Sequence, residues 1–303
     1  MYVPAWVEPT TEQRIVEASY RLPSYGGVTG WAGLHWLKAE RWFDGTAPDG
    51  SVRPVTLAVA GEDIRPQRSI RISAERLDPR DLIVVDGLSL TTAVRSVCFE
   101  MRYASSDREA ARSLSMAAYY DLVSIDELAG YAARHSGWTG IPRCRRAIAL
   151  AEENCWSPAE LDMVLVWRID AGLPPPLCNQ PLFDHGGRHI GTPDLLDIEA
   201  GVIGQYHGGL HLSGTQRAID ERAVERYRDM GLECFSMLAA DRGEAGRMAE
   251  RMHAARNRAR WEAESQRRWT IEQPSWWTAT HTVELRRALS AEERERMLRY
   301  RSA

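Results

Sequence analysis

"GTPDLLDIEAGVIGQYHGGLH", residues 191–211, is the stretch on which the fold turns. Two short apolar runs, 193–198 and 201–206, read as strands with a turn between them. The first opens on a Pro-Asp pair, and the second runs into Gln-Tyr-His and two glycines. Upstream, "WSPAELDMVLVWRIDAGLPPP" (156–176) has a full set of helix punctuation. Ser157 can cap it, Pro158 suits the first helical position, Glu160 completes a capping box, and Gly172 with Pro174 ends it. Leu161, Val164, Leu165 and Ile169 form the expected buried face. A further strand is expected near 178–183. Downstream, a helix from about Gly214 to Met230 stops at Gly231, and "LECFSML" reads as a strand. This order of helix, strands, helix, strand, helix is an α/β layer pattern, a mixed sheet covered by helices.

The first half of the chain reads as a small α+β region, residues 1–90, followed by a helical segment, 91–152. "RPVTLAVA" (53–60), "SIRIS" (69–73) and "DLIVVDGL" (81–88) are short, β-branched and bounded by Gly, Pro and Asp, which predicts a three-stranded sheet. Past Thr91 the period becomes helical: Val94, Val97 and Cys98 share a face, and "SIDELAGYAARH" and "RCRRAIALAEE" follow. Ser124 and Glu127 have capping-box spacing. The α/β layer then spans 153–265, and 266–303 is a helical extension whose last helix is expected over about 288–301.

Composition narrows the classes of function. At 303 residues, with 44% apolar and 26% charged side chains, the chain can support two modest cores. The net charge of -4 conceals 38 basic residues, so a nucleic-acid partner would be met by a local patch. The five cysteines are widely spaced and form no CxxC, which argues against a disulfide framework and a zinc knuckle. No apolar run approaches the ~20 residues of a membrane helix, and no leader pattern opens the chain. A cytoplasmic protein with no membrane partner is the expectation. Lys38 is the only lysine.

"SPAEL" opening a helix, "AGLPPP", "PD" in a strand, "QYHGGLH" and "DER" before Gly231 together resemble the very-short-patch-repair (Vsr)-type endonuclease domain of the PD-(D/E)XK superfamily. That domain is often the C-terminal part of AbiEi-like proteins. "YVP", "VTGWAGLHWL" and "VVDGLSLTTAVRSVC" are similar to the middle region of those proteins, so the resemblance covers about residues 2–260. It implies a restriction-endonuclease-like mixed sheet flanked by helices, Mg²⁺ (or Mn²⁺) as cofactor, and DNA as partner. The setting it implies is phage defence or a type IV toxin-antitoxin locus with a cognate nucleotidyltransferase-type toxin. Two departures stand out. The family usually has Glu-Tyr-Asp-Gly where this chain has Gln205-Tyr206-His207-Gly208. No complete winged helix-turn-helix, with which such proteins usually begin, is expected before the first strand at Pro54.

Phosphodiester hydrolysis on such a fold needs a divalent ion held by one or two carboxylates and carbonyl oxygens. Asp194 supplies the first ligand, the side-chain carbonyl of Gln205 a neutral one, and the Tyr206 main chain another. Glu160, from its helix, could bind a metal-bound water. No lysine stands two residues past the acid; His207 occupies that place and could act as general base. The resemblance gives His211 the role of protonating the leaving oxygen. Each residue also has a plainer reading. Pro-Asp at a strand start is common turn chemistry, and Glu160 can be half of a capping box. His207 and His211 are four apart, but Gly208-Gly209 between them makes a helical zinc pair unlikely.

Residues 242–268 carry eight arginines against four glutamates. Met248, Met252, Ala255 and Ala259 would face the core, leaving Arg247, Arg251 and Arg258 outward, as a phosphate-neutralising face or as an ordinary solvated one. Trp261, Trp269, Trp276 and Trp277 can stack on bases or seal a C-terminal flap. The leading expectation is a Mg²⁺-dependent DNA endonuclease. The alternative is a non-catalytic DNA-binding or antitoxin-type regulator built on the same scaffold.

Overall fold

A computed structural model of the chain describes residues 10–47, 49–208 and 214–302, and its contacts divide into two units, Met1–Ala151 and Glu152–Ala303. The first unit runs α1 (Thr11–Ser19), β1 (Gly27–Thr29), α2 (Trp31–Trp36), β2 (Val55–Ala58), β3 (Ile70–Ser73), β4 (Leu82–Val85), β5 (Leu88–Thr91), then α3 (Ala93–Tyr103), α4 (Asp107–Tyr119), α5 (Ile125–Arg134) and α6 (Ile141–Ile148). Its sheet has five strands in the order β3-β2-β1-β5-β4, where three were expected. One extra strand comes from "DLIVVDGL". Asp86 and Gly87 both hold positive φ, 50° and 79°, the geometry of a two-residue hairpin turn, and they fold the chain back into β5. The other is β1, which sits at the centre. A Cβ on Gly27 would come within 2.8 Å of the Leu90 main chain, so only glycine lets β1 lie this close to β5.

Strands and helices of this unit share one core, with Trp31, Leu57, Leu90, Met101 and Leu114 all fully buried. The Ser124–Glu127 capping box forms as expected, with Glu127 N–H donating to Ser124 Oγ and Ser124 N–H to Glu127 Oε2. Beside the core, the Glu75 carboxylate accepts hydrogen bonds from the buried Arg95 and Arg102 and from the Tyr103 hydroxyl.

The second unit contains α7 (Pro158–Leu165), β6 (Leu177–Cys178), β7 (Leu182–Phe183), β8 (His189–Gly191), β9 (Leu195–Asp197), β10 (Val202–His207), α8 (Gly214–Asp229), β11 (Glu233–Leu238), α9 (Ala245–Arg258), α10 (Val283–Arg287) and α11 (Ala291–Met297). Four strands form a mixed sheet, β11-β10-β9-β6, in which β10 and β11 are parallel and the other pairs antiparallel; β7 and β8 form a separate hairpin. The α/β layering read from the sequence is what the chain adopts. Three local expectations change. α7 widens after Leu165 into a π-turn, Val166–Asp170, and this rotation leaves Ile169 44% exposed instead of buried. The strand expected over 178–183 is two, because β6 belongs to the sheet and β7 to the hairpin. The last helix, expected over about 288–301, spans only Ala291–Met297, opened by a Ser290–Glu293 capping box and followed by a 3-10 turn, Arg299–Ser302.

Alternation along β10 assigns the helices to faces. Gly204 pairs with Phe235 on β11, and Phe235 stacks on Trp167 at 5.9 Å, so the face of Val202, Gly204 and Tyr206 meets the helix of α7. Ile203 and Leu196 instead pack with Tyr227 of α8. The second unit thus has α7 on one face of the sheet and α8 on the other.

Candidate active site

The antiparallel register of β9 and β10 is Val202 with Asp197, Ile203 with Leu196, and Gly204 with Leu195. Carried one step past its last pair, that register would set Gln205 opposite Asp194, and alternation along β10 puts Gln205 and His207 on the face of Ile203, the α8 face. Asp194 Oδ2 accepts a 2.6 Å hydrogen bond from the Tyr206 main-chain N–H, which clamps the carboxylate against β10 just past the paired strands. Burial, and after it the charge of Asp194, raises the phenol of Tyr227 on α8 above its ordinary value. The turn at the far end of the strand pair is held by Asp197. Its Oδ1 accepts from Glu199 and Ala200 N–H, and its Oδ2 from Arg256 at 2.7 Å. Arg256 thereby fixes α9 to the same strand pair.

Glu160 comes from the α7 side. Its Oε2 accepts from Trp156 N–H and Asn179 Nδ2, each at 2.8 Å, and its Oε1 from Ser157 Oγ at 3.0 Å. Burial raises the Glu160 carboxyl above its ordinary value against the pull of those hydrogen bonds. This is an extended capping box that reaches the N–H one residue before the cap. Asn179 is the link to the sheet: its main-chain N–H donates to the Asp194 carbonyl at 3.3 Å. Glu160 therefore braces the loop beside Asp194, with three donors around its carboxylate.

Tyr206 turns its ring to the α7 face, where the Arg242 guanidinium lies 5.7 Å from the ring centre and 3.9 Å from Asp162. The three arginines named on the α9 segment each meet an acid. Arg247 pairs with Glu244 at 2.7 Å, Arg251 with Asp241 at 3.0 Å, and Arg258 with Glu233 at 2.6 Å. Met248, Met252 and Ala255 face the core as expected, whereas Ala259, expected beside them, caps the end of α9 and is only half-buried. His211 lies outside the described residues. Among the described residues, no group of three or more His, Cys, Asp or Glu side chains is placed to hold a metal ion.

Sequence reading missed Asn154 and Asn179. Asn154 Nδ2 donates to the carbonyls of Cys178 and Asn179, and Asn179 Nδ2 donates back to the Asn154 carbonyl. Both residues, with Trp156, line a cleft of about 440 Å³ that Trp276 and Trp277 close from the C-terminal segment. The only signal for this in the sequence was a polar pair, Asn179-Gln180, between two apolar strands. The cysteines beneath, Cys155 and Cys178, are buried free thiols. Among the described residues no helix is long and apolar enough to cross a membrane. Comparison with protein-family models, curated proteins and solved structures finds no match to this chain.

Proposed function

We propose that the second unit is a restriction-endonuclease-like domain that hydrolyses phosphodiester bonds in DNA, with Asp194, Gln205 and His207 as its reacting edge. The observation that supports this is the clamp of Asp194 on the Tyr206 N–H, beside the β10 face that carries Gln205 and His207. One carboxylate and neutral oxygens are the least that Mg²⁺ or Mn²⁺ accepts, since Mg²⁺ keeps several waters of its own. Asp194, Gln205 and the Tyr206 carbonyl would hold it. When bound, the ion would supply charge stabilisation on the phosphate and a more acidic water. His207 is the group disposed to take a proton from the attacking water. Glu160 acts as a positioning residue through Asn179, in place of the water-binding role its helix position suggested. The paired Arg247, Arg251 and Arg258 contribute less to phosphate binding than a bare row would, because each would first have to leave its acid.

A second reading, a DNA-binding or antitoxin-type regulator on the same scaffold, is favoured by the finding that, among the described residues, no group of three or more His, Cys, Asp or Glu side chains is placed to hold a metal ion. One experiment separates them: supercoiled plasmid is incubated with the purified chain and with Asp194→Ala, in Mg²⁺ and in Mn²⁺. Nicked or linear product made by the native chain and not by the variant supports the nuclease. Uncut plasmid at excess protein, with retention of labelled duplex in a gel, supports the regulator. The cellular setting that goes with either is phage defence or a type IV toxin-antitoxin pair. Co-purification of a nucleotidyltransferase-type toxin is its test.

A further inference from the structure

We infer that the cleft between Asn179 and Trp276 is a binding site for a single unpaired nucleobase. Three observations carry this. First, the cleft has an aromatic wall that is held rigid and partly open. Trp276 is 59% exposed, yet its ring is propped edge-on by Phe183 at 5.9 Å and by Trp277 at 5.6 Å. Trp277 in turn packs on Phe183 at 5.1 Å and on His189 at 5.0 Å. An exposed indole fixed by its neighbours offers a stacking surface with little ordering cost, and flat heteroaromatic rings are what stack on it.

Second, the residues that line the cleft include one with an orphaned buried acceptor. Asn179 is 2% exposed, its Nδ2 is committed to Asn154 and Glu160, and its Oδ1 has no hydrogen-bond partner. The direction of the amide is fixed by those two acceptors, so the unpaired atom is the oxygen. Native proteins leave few buried polar atoms unpaired, and an orphan lining a cleft calls for a ligand N–H. The backbone at Asn179 is also in the left-handed region, φ 44°, a conformation the surrounding bonds must hold.

Third, the size and rim fit. A volume of about 440 Å³ falls in the ~300–1,000 Å³ range of small-molecule sites. Arg296 and His281 stand among its lining residues and could meet the phosphate that a nucleotide carries. Aromatic stacking with amide hydrogen bonds to the base edge is how proteins hold a base taken out of its stack. The cleft also includes Thr192, two residues before Asp194, so a base seated there would bring its phosphate near the proposed reacting edge.

The proposal rests on the nucleic-acid reading only for the origin of the base, and the test is run in EDTA so that failure of cleavage does not affect it. Anisotropy of a labelled ten-nucleotide single strand of deoxyadenosine is compared with an abasic strand of the same length. The base-bearing strand should bind about tenfold tighter. Trp276→Ala should remove that difference while leaving abasic binding unchanged, and Trp276→Phe should restore part of it. As competitor, adenosine should outperform N6,N6-dimethyladenosine, which lacks the amine N–H for Asn179. Adenosine monophosphate competing as well as the strand would identify free nucleotide as the source, and competing at least tenfold less well would identify a strand. Equal binding of base-bearing and abasic strands, or no effect of Trp276→Ala, overturns the assignment. Because Trp276 is largely exposed, its loss should not unfold the chain, and an unchanged melting temperature checks this.

Discussion

The Asn179 side-chain amide donates to Glu160 Oε2 at 2.8 Å while its own main-chain N–H donates to the Asp194 carbonyl, so the helix carboxylate and the strand acid are joined through one asparagine. Removing Glu160 strands the Trp156 and Asn179 donors. Glu160→Ala should cost about 2 kcal/mol in urea denaturation, the range for buried donors left unpaired. Glu160→Gln should cost far less, because its amide oxygen can accept from both donors while its NH₂ donates to Ser157 Oγ.

The same group carries a pH signature. Its folded value is raised, so the native state holds this proton more tightly than the unfolded chain does. Native stability should therefore fall as pH rises from the ordinary carboxylate range through the raised folded value. Glu160→Gln, which does not titrate, should show a shallower decline over that window. Identical profiles for the two chains would mean that Glu160 titrates as it does unfolded.

Sequence alone carried the layer order and most element positions, because capping and turn chemistry are local. Ser157, Pro158, Gly172 and Gly231 mark ends that the structure keeps, and the acid-amide-imidazole series follows from counting along two strands. What was illegible depends on contacts between distant segments. The π-turn after Leu165 answers to the Trp167–Phe235 stack, and β1 becomes central only because Gly27 permits a close approach to Leu90. The cleft draws on residues 154–156, 179–192 and 273–297, which no window of sequence holds together. Glu160 satisfied two readings at once, a cap and a ligand, and only its three hydrogen bonds distinguish them.

Gly204 shows how tightly the α7 face is packed. A Cβ there would lie 2.5 Å from the Phe235 ring, which is itself stacked nearly parallel, 9° off, on Trp167. Gly204→Ala must push Phe235 out of that stack, at a cost of about 1–3 kcal/mol for overpacking. The double change Gly204→Ala with Phe235→Leu should recover part of the loss. A melting temperature unchanged by Gly204→Ala would show that the ring moves freely.

In the first unit, burial works to raise the Glu75 carboxyl, and hydrogen bonds from Arg102, Tyr103 and Arg95 outweigh it, leaving the group at about 2. A depressed carboxyl contributes stability above its unfolded value of 4.5 and loses it as pH falls toward 2. The contribution is about 2–3 kcal/mol once solvent screening is allowed for. Acid titration of stability should show this loss between those limits. Glu75→Gln should be strongly destabilised at neutral pH, because two buried guanidinium groups lose their partner, and should lack that acid limb.

The last prediction concerns Gln205, which the continued β9–β10 register would set opposite Asp194. Gln205→Glu would set two carboxylates opposite each other, so without metal the variant should be less stable than the native chain by up to ~1 kcal/mol. A divalent ion reverses the sign. A second charged ligand should tighten Mg²⁺, and a tenfold gain in affinity stabilises the folded state by up to ~1.4 kcal/mol at saturating metal. Melting temperatures at ~10 mM Mg²⁺ and in EDTA measure both terms, with Asp194→Asn as the chain that should respond to neither. A native chain that gains a little, a Gln205→Glu chain that gains more, and an Asp194→Asn chain that gains nothing would place the ion between these two residues. If Gln205→Glu melts lower than native in EDTA and stays as far below it in Mg²⁺, the two side chains face each other without holding a metal, and the regulator reading gains.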